Sequence, residues 1–354
     1  MILMRFMILT LSAVIGVSCG VAGAGTVSVF VSSGTTNSVL AYDGATGALQ
    51  GTFARGGGLV EPEGIAFGPD GNFYVSSRSN QVLRYDGPTG RFLGVFAGGH
   101  GLLDPAGIAF GGPQNDLFVG SGVPDEGTGG NQVLRFDGRS GAFKAVVDPA
   151  NAAGLADPEG VTFGRDGLLY VLSSDNGEVL RYDPATNAFV DKFVPHAASG
   201  NLLDPTDLAF GPGGDLFVSS AETSEVKRYD AATGAFKGNF VTAGSGGLNE
   251  AEGVTFGPNG NLLVVSELGG AVLQYDAATG APLGEFVGAG SGGLAEPTFI
   301  TAGPTPTPIP LPPAAWSGLL AIGGLMTSQT WRSWRGRHSP VLPSPIDTGT
   351  GREK

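Results

Sequence analysis

Cysteine is almost absent from this chain. Its 354 residues hold one, Cys19, and only three histidines. A lone thiol closes no intramolecular disulfide, and three scattered histidines form no His-rich metal centre. Charge is scarce too, at 14% of residues, and skewed to 32 acidic against 19 basic side chains, a net of −13. The chain outside 25–303 holds six basic and two acidic residues, so 25–303 alone carries −17. A body this acidic is repelled by phosphate backbones, which excludes nucleic acid as a partner.

Glycine, by contrast, is abundant at 62 residues, and it falls at regular places. A segment such as 62–94 recurs down the chain. The aspartate after Tyr or Phe returns at Asp43, Asp86, Asp137, Asp183, Asp230 and Asp276, at spacings of 43, 51, 46, 47 and 46 residues. Each copy holds four runs of strand type, exemplified by Gly107–Gly111, Leu216–Ser220, Gln81–Tyr85 and Ala235–Phe240. Runs of about 5–6 residues rich in Val, Phe, Leu and Tyr, bounded by Gly, Pro and Asp, are strands and too short for helices.

The joints carry turn chemistry. Asp70-Gly71, Asp166-Gly167 and Asn259-Gly260 supply the positive φ angles of tight hairpins. Between the third and fourth runs stands Asp-x-x-Thr-Gly, as at 230–234, where the aspartate accepts from following amides and the glycine turns left-handed. A period in the forties with four antiparallel strands per copy predicts an all-β propeller. The ends of the repeat region are complementary. The first copy begins at its second strand, 27–33, and its missing first strand reappears at 296–303. The expected fold is therefore a six-bladed β-propeller over 25–303, closed by the C-terminal strand completing the first blade, with few or no helices inside it.

The flanks read as addresses. Residues 1–24 have a basic start at Arg5, an apolar stretch and a small-residue cleavage site, the layout of a secretory signal peptide, which would carry Cys19 away. Residues 304–313 form a Pro-rich linker. Residues 314–338 hold a short apolar helix followed by Trp331, Arg332, Trp334, Arg335 and Arg337, and 339–354 are expected to be a disordered tail. The apolar run is short for a span of about 20 residues, and its arginines would stay cytoplasmic.

Repetition also filters candidate site residues. A residue present in every copy serves the blade; a polar residue present in only some has another reason. The Tyr-Asp aspartates, the acids preceding Pro-x-Gly (Glu61, Asp104, Asp157, Asp204, Glu250, Glu296) and the shared arginines Arg84, Arg135, Arg181 and Arg228 are read as structural, the arginines on blade surfaces. The position two after the acid instead reads Glu63, Ala106, Glu159, Thr206, Glu252 and Thr298. Three glutamates on alternate blades face the channel mouth, where they repel one another unless protons or a cation intervene. With Asp207, which replaces a repeat glycine, Glu63, Glu159 and Glu252 are the candidate metal ligands, and oxygen-only donors suit Ca²⁺ or Mg²⁺. Solvated glutamates around a water-filled pore are the plainer alternative.

The loops after the second strands share this face and diverge, offering Arg78, Asn80, Asp175, Asn176, Glu222 and Glu267, with His100 and His196 in the loops leading into blades. Variable loops on one rim of a rigid scaffold are the usual binding place. One copy adds an insertion at 123–130. Nothing in the spacing points to a Ser-His-Asp triad. Gly288–Gly293 fits G-x-G-x-x-G but joins two strands, so no helix N-terminus is there to hold a phosphate.

The repeat wording, Asp-Pro-x-Gly-Ile-Ala-Phe-Gly followed by Leu-Phe-Val-Ser-Ser and Val-x-Arg-Tyr-Asp, resembles NHL-repeat propellers and the wider gluconolactonase-like superfamily over residues 26–303. The order Pro-rich motif (Ile309-Pro310-Leu311-Pro312), apolar helix, arginine cluster resembles PEP-CTERM sorting signals of Gram-negative bacteria, in a variant form and with an extra sixteen residues after it. That resemblance implies an exported protein held transiently in the inner membrane until an exosortase-type enzyme processes it, then placed in the cell envelope or extracellular matrix. The propeller resemblance leaves two functions open. One is a non-catalytic binding module for extracellular polysaccharide or an envelope protein. The other is a divalent-metal-dependent lactone hydrolase, in which Glu63, Glu159 or Glu252 would match the family's metal-binding glutamate, and Asn80, Asn176 or Asp175 its remaining ligands.

Overall fold

The computed structural model describes residues 27–122 and 130–307. The expected signal peptide over 1–24, the expected apolar helix and basic cluster over 314–338, the expected tail over 339–354 and most of the insertion at 123–130 lie outside them, and the described part of the Pro-rich linker ends at Thr307. Six four-stranded antiparallel sheets account for the strands, as the spacing predicts. In the second blade, β4 (Pro62–Phe67) lies innermost, followed outward by β5 (Phe73–Ser77), β6 (Gln81–Tyr85) and β7 (Phe92–Gly98). The described residues include no α-helix, only three 3₁₀ turns of three residues each.

The first blade is assembled from both ends of the repeat region. Val27–Ser33 pairs antiparallel with Pro297–Pro304, placing Val31 opposite Ile300 and Ser28 opposite Gly303. Pro304, assigned to the linker by its composition, is thus the last strand residue.

The Asp-x-x-Thr-Gly turns form as expected. Asp43 Oδ1 accepts from Ala45 N at 3.1 Å, Thr46 N at 2.9 Å and Thr46 Oγ1 at 2.8 Å. The turn glycine is fixed twice over: Gly90 has φ of 68°, and a Cβ there would overlap Phe53 O of the preceding blade.

The core is six apolar clusters, each straddling two neighbouring blades. Phe30, Phe53, Phe73 and Phe299 share one of them, with Phe30 and Phe53 ring centres 4.7 Å apart. No blade buries its two faces alone, which is why the ring forms as a unit. One expectation fails here. Arg135 is buried, not a blade-surface residue: it meets Asp116 at 2.7 Å and donates to Pro184 O at 2.7 Å in the next blade. Asp116, at the foot of its neighbouring strand, supplies the counter-charge that burial demands.

The loops after the second strands and the loops leading into each blade leave the ring at the same end, because four antiparallel strands alternate direction. That end carries the channel mouth.

Candidate functional site

Each blade begins on an acid in the left-handed region. Glu61, Asp104, Asp157, Asp204, Glu250 and Glu296 all have φ between 38° and 59°. Their carbonyls mostly accept an amide from the loop after the second strand, as Gly122 N to Asp104 O at 3.2 Å and Glu267 N to Glu250 O at 3.1 Å. Their amides donate to a side chain of the preceding blade: Asp104 N to Asn80 Oδ1 at 3.0 Å, Asp157 N to Asn131 Oδ1 at 2.6 Å and Glu250 N to Ser224 Oγ at 2.9 Å. The backbone of this acid joins blades, and its side chain is left for other use.

Inside the rim lies a cavity of about 220 Å³. Seven carboxylates line it: Glu63, Asp104, Glu159, Asp204, Glu250, Glu252 and Glu267, with Thr206, Thr298 and a single cation, Arg78. The predicted alternate-blade trio is therefore brought together, and Arg78 and Glu267 from the loop set join it. Arg78 Nε stands 3.5 Å from Glu63 Oε1 and 3.3 Å from Asp104 Oδ1, and its NH1 3.4 Å from Glu61 Oε2.

The electrostatics follow from crowding. Burial pushes the Glu63 carboxyl up to about 8 against the pull of Arg78. Burial first, then the neighbouring carboxylates, holds Glu159 and Glu252 well above the usual range. Glu267 rises to about 7, from burial and from Glu250 and Glu296. Near neutral pH the mouth retains protons, and a cation would displace them.

Asp207 is not part of the mouth. One residue beyond Thr206, it lines the next cavity inward, of about 390 Å³, among Ile65, Ile108, Phe210 and Phe299. Its carboxylate accepts from Val254 N at 2.9 Å and Leu208 N at 2.8 Å, and burial raises it to about 7.

Four other predicted residues meet in a groove of about 570 Å³ between the fourth and fifth blades: Asp175, Asn176, His196 and Glu222. Asp204 and Glu250 line both groove and mouth, so the two are continuous. His100 and Asn80 belong to neither. His100 stacks on Phe143 with ring centres 4.3 Å apart, and Asn80 is occupied with Asp104.

The lining acids Asp104, Asp204 and Glu250 were read from sequence as purely structural. The signal that would have found them is proximity to the glutamate two residues on, since both flank one short bulged strand start.

The residues present do not fit the gluconolactonase-like metal set. No asparagine lines the mouth among the described residues. Asn80 is engaged with Asp104, while Asn176 Nδ2 donates to Gly154 O at 2.8 Å and Ser173 Oγ at 3.0 Å and opens onto the groove.

No protein-family model matches the chain, and no curated protein matches it. Solved structures do. A chain of a nidogen/laminin complex superposes with a TM-score of 0.63 at 15% identity, over 79% of this chain and 100% of that one. A protein of unknown function from Bacteroides caccae gives 0.59 at 14% identity, over 78% and 98%. The fold is that of a six-bladed β-propeller. At these identities the likeness concerns fold alone.

Proposed function

We propose that this propeller is a non-catalytic binding module, exported and sorted by its two flanking segments, whose acidic face holds a hydroxyl- and amine-bearing extracellular polysaccharide. The observation that carries this reading is the continuity of groove and mouth. Asp175, Asn176, His196 and Glu222 open onto the same acidic surface as Asp204 and Glu250. Carboxylates and a carboxamide accept from sugar hydroxyls, and the excess negative charge favours ammonium groups over anionic chains. The scaffold beneath is rigid, so recognition needs little ordering.

The test is co-sedimentation and interferometry of the purified full chain with chitosan, dextran and alginate. Saturable binding to chitosan that falls at least about tenfold, roughly 1.4 kcal/mol, in the Asp175→Ala/Glu222→Ala variant supports the reading. Failure to bind any of the three, or unchanged binding by the variant, sinks it. Preferential capture of a cationic peptide by the same residues would reassign the partner to an envelope protein.

A further inference from the structure

The six blades offer an internal comparison. Three positions recur at or beside the mouth: the acid that begins the blade, the residue two after it, and the first residue after the second strand. In the second blade these are Glu61, Glu63 and Arg78, and the guanidinium lies within 3.5 Å of both carboxylates. In the sixth blade they are Glu250, Glu252 and Glu267. No other blade has acids at all three. Where the chain supplies its own cation to one blade, it puts a third carboxylate in the other.

The geometry of that trio is narrow. One oxygen from each of Glu250, Glu252 and Glu267 lies within 4.8 Å of the other two. Oxygens bound to Ca²⁺ at about 2.3–2.6 Å lie no more than about 5 Å apart, so the trio fits within such a shell. Glu252 is only 8% exposed, lines the cavity, and has no hydrogen bond or ion pair among the described residues. A carboxyl set so deep with no cationic partner is a ready place for a proton or a cation.

We propose that the sixth blade holds a Ca²⁺ site formed by Glu250, Glu252 and Glu267, with its remaining coordination open toward the mouth. The ion takes the place that Arg78 fills in the second blade. The donor set is all carboxylate and comes from one blade, so it is distinct from the mixed glutamate and asparagine set of gluconolactonase-like enzymes. It stands whether or not the groove binds polysaccharide.

The experiment titrates the EDTA-stripped full chain with CaCl₂ and, separately, MgCl₂, by isothermal calorimetry, alongside thermal unfolding. We expect saturable Ca²⁺ binding in the range of about 10⁻⁴–10⁻³ M typical of extracellular modules, a higher Tm, and a weaker response to Mg²⁺, which gives up its water reluctantly. Glu267→Arg, which recreates the second blade's arrangement, should unfold at or above the wild-type temperature without metal and no longer respond to Ca²⁺. Glu252→Gln should weaken binding by at least about tenfold. Absence of a saturable Ca²⁺ signal overturns the proposal, as does a folded Glu267→Arg variant that still binds as wild type. If Glu267→Arg does not fold, Glu267→Gln gives the same readout. Loss of binding in Glu159→Gln but not in Glu267→Gln would place the ion on the pseudo-threefold axis and defeat the blade-six assignment.

Discussion

Arg78 Nε lies 3.3 Å from Asp104 Oδ1, so a loop of the second blade reaches the start of the third. The same guanidinium meets Glu61 and Glu63. It is the one cation lining a mouth of seven carboxylates. Its side chain is 40% exposed, which screens these pairs. Arg78→Gln should therefore cost about 1 kcal/mol near pH 8. The loss should shrink at about pH 5, where Glu63 is neutral in either protein. Urea melts at both pH values check this, and an equal loss at both would show that the Glu63 pair contributes nothing.

Stability should fall as pH rises from about 5 to about 8 in metal-free buffer, the reverse of ordinary acid denaturation. Glu63 is raised to about 8 and Asp207 to about 7, both mainly by burial. An unfolded carboxyl titrates near 4, so between about 4 and 8 the folded state binds more protons than the unfolded one. The contribution is full below the unfolded value and is lost as pH passes the folded value. Exposed and paired carboxylates such as Asp43 and Asp191 are lowered and act in the opposite sense, below about 4. Thermal unfolding in EDTA across this range reads the slope, and Asp207→Asn should flatten it near pH 7. A Tm that climbs steadily from about 5 to 8 contradicts the argument.

Asn80 and Asp175 both occupy divergent loops, yet their substitutions should separate. Asn80 Oδ1 holds the Asp104 amide at 3.0 Å, so Asn80→Ala removes an inter-blade hydrogen bond and should cost about 1 kcal/mol. Asp175 is exposed at the groove. Its alanine variant should stay within about 0.5 kcal/mol of wild type while losing ligand affinity. Equal stability effects in the two variants would undo the division between joint and groove.

That division marks where sequence reasoning stops. The blade count and the closing strand were legible because turn chemistry and the complementary ends at Val27 and Pro297 repeat what each blade needs. The glutamate trio was legible because Glu63, Glu159 and Glu252 break the repeat. Asp104, Asp204 and Glu250 were hidden for the opposite reason. They recur in every blade because their backbones hold a left-handed turn, and the filter cannot see that a side chain has a second task. Asn80 misled in the reverse direction: Asn37, Asn131 and Ser224 share its left-handed conformation, and its job passes between residue types. Asp207 was placed one residue out of reach: its carboxylate turns to the amides of Leu208 and Val254, in the next cavity inward.

The ring's seam gives the last prediction. Ser32 Oγ accepts Phe299 N at 2.8 Å and donates to Phe299 O at 3.1 Å, while Ser33 Oγ bonds Ala295 in the same two ways at 3.0 Å. Phe299 is 6% exposed and packs in the cluster that holds Phe30, Phe53 and Phe73. Phe299→Ala removes that packing across the junction of the first and second blades and should cost about 3–5 kcal/mol. Deleting 297–304 does more. It leaves the first blade with three strands and bares the inner edge of Val27–Ser33, so the cooperative transition should vanish and the protein should self-associate. Circular dichroism melts and light scattering distinguish these outcomes. A deletion variant that still unfolds in one sharp step would mean that five blades and a fragment suffice, and that the two ends need not meet.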